Sequence, residues 1–154
     1  MDETIKIGKN FTLADVQFNE IAVQLGMNNE VTDDQVISNA RRLAKNILDP
    51  LIEQFGHVFI TSWYRNQNLE REYSRNTFAR WCIDNRLPIR DEAWQQYVDQ
   101  KQHHTGCAVT IRAKDNDELF DYIKDNLEFD TLMHKKHWIS VSFTQNNQKR
   151  AIGR

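Results

Sequence analysis

HHTGCAVTIR, residues 103–112, is the stretch on which the fold reading turns. In an extended strand successive side chains point to opposite faces. Cys107, Val109 and Ile111 therefore share one apolar face, which belongs to a core, while Gly106, Ala108 and Thr110 share the other. Two small residues and a hydroxyl pack poorly but make a good cleft floor, and His103 stands upstream at the mouth of that face. WISVSF, residues 138–143, alternates in the same way: Ile139, Val141 and Phe143 inward, Trp138, Ser140 and Ser142 outward. Two strands thus each offer a small polar face to one cleft.

The rest of the chain supplies helices around these strands. Residues 11–15 read as a short capped turn, with Thr12 placed to accept from the Asp15 amide. Val16, Ile21, Ala22 and Leu25 then recur at helical spacing, up to Gly26 as a natural terminator. Thr32 and Gln35 fit a capping box ahead of a stripe formed by Val36, Ala40, Leu43, Ile47, Leu51 and Phe55. Pro50 predicts a kink or break after Leu48, and Gly56 an end. Residues 57–62 (HVFITS) read as a strand. Residues 67–100 read as helical, broken at Leu87-Pro88 and anchored by Phe78, Trp81, Trp94 and Tyr97. A helix over 115–127, with Leu119, Tyr122 and Ile123 inward, and strands over 131–134 and 138–144 complete the pattern. Helices come first and strands later, without regular βαβ alternation. That predicts an α+β fold with a small, mainly antiparallel sheet flanked by helices. The polar, basic residues 145–154 read as a frayed tail.

The 154 residues suit one domain, spanning 1–154, with a core over about 11–144. A formal net charge of -2 argues against nucleic acid as a partner. The polar N-terminal ten residues lack the apolar run of a signal peptide, and no stretch is long and apolar enough for membrane insertion. Cys82 and Cys107 are far apart and read as reduced, buried thiols of a protein made in cytoplasm.

FTLADV (11–16), DPLIEQFG (49–56), ITSWYR (60–65), HHTGCAVTIR and WISVSF occur in an order that resembles the zinc D-Ala-D-Ala carboxypeptidase family, in particular its short bacteriophage form. The resemblance covers residues 11–143 and implies the fold shared by those peptidases and the hedgehog signalling domain. The family pattern is His-x-x-Gly-x-Ala-x-Asp followed by Trp-x-His. His103 matches the first zinc-binding histidine, and Gly106 and Ala108 match the small residues. Thr110 stands in place of the zinc-binding aspartate and Ser140 in place of the second histidine, beside Trp138. Around residues 132–135 no carboxylate replaces the family's general base. Arg65 matches an arginine used near the substrate. Catalytic zinc needs three protein donors and an open position, and neutral hydroxyls are poor donors. The resemblance therefore implies a former metal site (His103, Thr110, Ser140), a former substrate cleft (Arg65, Gly106, Ala108, Trp138), no catalytic residue, no metal and no cofactor.

Other readings stay open in the sequence. His104, His134 and His137 are candidates for a rebuilt metal site. Arg65 suits a carboxylate ligand or a loop tie. Residues 67–100 exceed the family's usual connection, and Tyr73, Phe78, Trp81, Trp94 and Tyr97 are candidate interface anchors. The resemblance implies a pseudoenzyme serving as a phage virion structural protein (tail, baseplate, neck or capsid-associated), assembled in host cytoplasm, with other subunits of the particle as partners. The alternatives are a zinc-dependent peptidoglycan peptidase or endolysin, and a non-catalytic peptidoglycan-binding module.

Overall fold

A computed structural model describes residues 2–154. Five strands form one sheet in the order β1-β2-β4-β3-β5: β1 Phe59–Ser62, β2 Ala108–Arg112, β3 Thr131–His134, β4 Ile139–Ser142 and β5 Arg150–Ile152. The first four are antiparallel neighbours, and β5 runs parallel to β3. The chain is α+β with a mixed sheet. β5 corrects the expectation of a frayed tail. Arg150 donates its amide to the Asp130 carbonyl, Gln148 donates its amide to the Asp130 carboxylate, and Arg154 forks onto Asp121 at 2.8 and 3.0 Å. Polar groups fix this strand where no apolar pattern announces it.

The start of the chain holds two short helices, α1 Leu13–Gln17 and α2 Glu20–Leu25, rather than one continuous run. Asn19 breaks them apart, its side chain accepting from the amides of Ile21 and Ala22. Val16 and Ala22 are buried, whereas Leu25 is exposed. At the first turn it is Asp15 that accepts from the Thr12 amide, at 2.8 Å, while the Asp15 amide goes to the Thr12 carbonyl. Next come α3 Asp34–Leu43, a π-helical turn Ala44–Leu48 and α4 Asp49–Phe55. Asp33, not Thr32, caps α3, accepting from the Gln35 amide at 2.8 Å. Pro50 does not break this rod. The π turn lets the Asp49 amide reach the Ala44 carbonyl, which widens the coil ahead of the proline ring. Val36, Ala40, Leu43, Ile47 and Leu51 are buried as the stripe predicts.

These helices, together with α8 Asn116–Asn126, share one large apolar cluster with the inward residues of the sheet: Val109 and Ile111 of β2, Leu132 of β3, Ile139 and Val141 of β4. Asp115 caps α8 through the Glu118 amide at 3.1 Å. Leu119, Phe120 and Ile123 are fully buried, and Tyr122 is half-buried edge-on to Phe55. After α5 Gln67–Tyr73, a second, smaller cluster lies between α6 Arg75–Asp84 and α7 Asp91–Val98. Phe78 meets Trp94 edge-on at 5.2 Å, and Cys82, Ala93, Tyr97 and Val98 close round them. The break between α6 and α7 falls at Arg86, in the left-handed region at φ 56°, just before Leu87-Pro88. Both cysteines are free and buried. No helix among the described residues is long and apolar enough to cross a membrane.

Candidate functional site

The polar face of the sheet and the α5–α7 helices enclose a cleft of about 510 Å³. Its floor comes from facing positions on paired strands: Thr110 lies opposite Ser140, and Ser140 opposite Met133. Ala108, Thr110, Ser140 and Trp138 line it, as the alternation predicts. His103, in the 3₁₀ turn His103–Thr105, enters from one side.

His103 is held by three contacts. Its Nδ1 lies 2.7 Å from the Trp63 carbonyl, an acceptor only, so Nδ1 carries the proton and Nε2 is bare. Nε2 faces the Thr110 hydroxyl at 3.4 Å, a weak contact in which Thr110 donates. The Arg65 amide donates to the His103 carbonyl at 3.1 Å. Burial, with the Arg65 guanidinium as the next cause, pushes the imidazole down to about 3. His103 is thus a neutral hydrogen-bonded ring at ordinary pH. Burial also lowers His104, whose buried Nδ1 has no hydrogen-bond partner among the described residues.

Arg65 is placed as the loop tie that its sequence context allows. It lines the cleft, but its guanidinium is already committed to a carboxylate of the same chain, Glu70. It also donates to Ser62 Oγ at 2.9 Å and lies over the Tyr73 ring at 4.1 Å. Arg65 and Glu70 are both buried, Glu70 to 1% exposure. Five residues apart, Glu70 reaches back from the first turn of α5 to the residue just ahead of its Asn66 cap. Glu70 is a cleft residue that the sequence reading passed over. Its signal was weak: one carboxylate on a helix rich in charge.

The structure corrects several other readings. Gly106 does not line the cleft. It sits at φ 79°, and an added Cβ would lie 2.9 Å from the Val36 carbonyl oxygen, so glycine is required by the turn and by α3. Ser142 is buried and bonded to the Thr131 hydroxyl at 2.6 Å. Of the five candidate interface anchors, Phe78, Trp94 and Tyr97 are buried in the cluster of α6 and α7. Trp81 is partly buried against Tyr97, and Tyr73 alone is largely open, at 50% exposure. Once α6 and α7 fold on each other, their large aromatics are used internally. His134 and His137 do not join His103: His134 points to the other face of the sheet and bonds Asp117 at 2.7 Å, and His137 is exposed.

The donor set tests the zinc that the family resemblance implies. One neutral imidazole nitrogen, two hydroxyls and the Met133 thioether converge here, and none of the last three is a good zinc ligand. Among the described residues, no group of three or more His, Cys, Asp or Glu is placed to hold a metal ion. The residues do not fit a zinc centre. They form instead a hydroxyl-floored cleft with cations at its rim: Lys101, Lys135 and Arg150 line it and make no ion pair among the described residues. These three come from segments far apart in the chain, so no motif could have announced them. Comparison of the chain with protein-family models, with curated proteins and with solved structures finds no match.

Proposed function

We propose that this chain is a catalytically inactive domain of hedgehog/D-Ala-D-Ala-peptidase type, a structural subunit of a bacteriophage particle whose former active cleft binds rather than cleaves. The observation that carries the loss of catalysis is the facing set His103, Thr110 and Ser140, with Nε2 turned to a hydroxyl at 3.4 Å. Such a set supplies neither three metal donors nor a base for water. Glu70, the one carboxylate lining the cleft among the described residues, is buried against Arg65 and is held as a structural partner rather than a free base. The phage setting rests on the ordered sequence motifs alone. Other subunits of the particle are the proposed partners.

A non-catalytic cell-wall-binding module is the second reading, favoured by the cleft's open cationic rim. The test is mass spectrometry of purified particles together with a muropeptide hydrolysis assay. The proposal expects the chain at stoichiometric copy number and no release of alanine. Chelator-sensitive turnover, or absence from the particle, would contradict it.

A further inference from the structure

Past the Thr110–Ser140 floor, the polar face of the sheet ends in a row of exposed side chains. Phe59 of β1 lies opposite Arg112 of β2. One step beyond the paired Ile111 and Ile139, Arg112 comes level with Trp138. The Trp138 carbonyl accepts from the Lys135 amide at 2.9 Å, which closes the turn of Lys136 and His137 between β3 and β4. Phe59, Arg112, Trp138 and Lys135 thus stand on or next to four neighbouring strands, in the order aromatic, cation, aromatic, cation. Cross-strand partners share a face, and this one is the polar face, since Trp138 and Lys135 both line the cleft.

The row is open and its charges are free. Phe59 and Trp138 are 51% and 41% exposed, and Arg112, Lys135 and Lys136 are exposed. None of these three cations makes an ion pair among the described residues. The Arg112 guanidinium lies 5.3 Å from the centre of the Phe59 ring, so cation and ring form one platform. A hollow of about 290 Å³ borders the row, lined by Trp138 and by Tyr73, which is 50% exposed. Glu20 lines the same hollow and steers an anion away from itself, towards Arg112 and Lys135. The chain's net charge of -2 is an average that hides this local excess.

Flat rings alternating with cations match a polymer whose flat units alternate with negative charges. Bases stack on aromatic side chains and on arginine planes with little regard to sequence. Adjacent strands stand about 4.8 Å apart, which sets Phe59 and Trp138 roughly 10 Å from each other with Arg112 between them. We propose that this row binds single-stranded nucleic acid, with bases on Trp138 and Phe59 and phosphates on Arg112, Lys135 and Lys136. A duplex keeps its base faces inside and meets only the cations. The inference goes beyond the structural-subunit reading and is independent of the loss of catalysis, because His103, Thr110 and Ser140 take no part in it.

Fluorescence anisotropy tests it, with labelled twelve-nucleotide oligothymidylate and oligouridylate titrated with the full chain in about 50 mM salt. At least one of the two single strands is expected to bind, and a twelve-base-pair duplex about tenfold more weakly or not at all. Three phosphate contacts predict a slope of about -2 for log K against log salt. Trp138→Ala should weaken binding about tenfold, and Trp138→Phe should restore most of it. Lys135→Gln with Lys136→Gln should weaken binding and flatten the salt slope by about 1.4. The lysines are fully open and should leave the thermal melt unchanged, so that pair carries the test even if Trp138→Ala lowers the melt. Sedimentation with phosphatidylserine vesicles checks for an anionic lipid surface instead. No binding of either oligonucleotide, duplex binding as tight as single-strand binding, indifference to the lysine pair, or capture by vesicles without oligonucleotide binding overturns the proposal.

Discussion

Removing Glu70 should be among the most damaging single substitutions at the cleft, and the damage should be curable. Glu70 and Arg65 are almost wholly buried, and each is the other's charge partner. Glu70→Ala leaves the guanidinium in place with only Ser62 and the Tyr73 ring for company. Loss of one partner of a buried pair costs about 3–5 kcal/mol, a large share of the roughly 5–15 kcal/mol that holds a domain folded. The pair itself is worth far less, because both ions were desolvated to form it. Replacing both by apolar residues of similar size, Arg65→Met with Glu70→Leu, should therefore recover most of the loss. Urea unfolding of wild type, both single variants and the double variant closes the cycle, with a constant m-value as the check for two-state behaviour. A Glu70→Ala cost under about 1 kcal/mol, or a double variant no better than the worse single, would refute the reasoning.

Trp94→Ala should lower folding stability by about 3–5 kcal/mol, since the ring is 5% exposed and packed on Phe78 and Tyr97. Sedimentation of the folded variant should be unchanged, and an unaltered melt with lost assembly would return Trp94 to an interface. The pH dependence has a definite sign. His103 sits well below its unfolded value of 6.5, so the unfolded chain binds the extra proton, and stability falls as pH drops from about 6.5 towards about 3. The slope contributed is at most about 1.4 kcal/mol per pH unit. His103→Gln should flatten that window in denaturant titrations, and an unchanged slope would show that other groups carry it. Thr110→Asp with Ser140→His should create zinc affinity beside His103, because these positions face one another across β2 and β4. Calorimetry showing no gain would mean that the floor is not the relic of a metal site.

Period-two alternation made the sheet's core face legible, and Val109, Ile111, Ile139 and Val141 are all buried. It stopped short at Gly106, which lies in a left-handed turn before β2, while Ser142 faces the polar side as the alternation predicts but is covered there, its hydroxyl bonded to the cleft-lining Thr131. The apolar stripe of the long helix was legible, but not the π turn, which changes no hydrophobic position and answers only the missing amide of Pro50. β5 could not be read at all. Its three residues are exposed, and it is held through polar neighbours, Asp130 and the Arg154 fork onto Asp121. At the site, Thr110 and Ser140 were legible as small polar residues on the cleft face of their strands. The Arg65–Glu70 pair and the cationic rim arise only when distant segments meet.

The proposed absence of a metal centre from the cleft is tested most directly by elemental analysis of the purified chain after dialysis against trace zinc. The expected result is far less than one zinc per chain, unchanged by His103→Ala. One zinc per chain, lost on His103→Ala, would contradict the account.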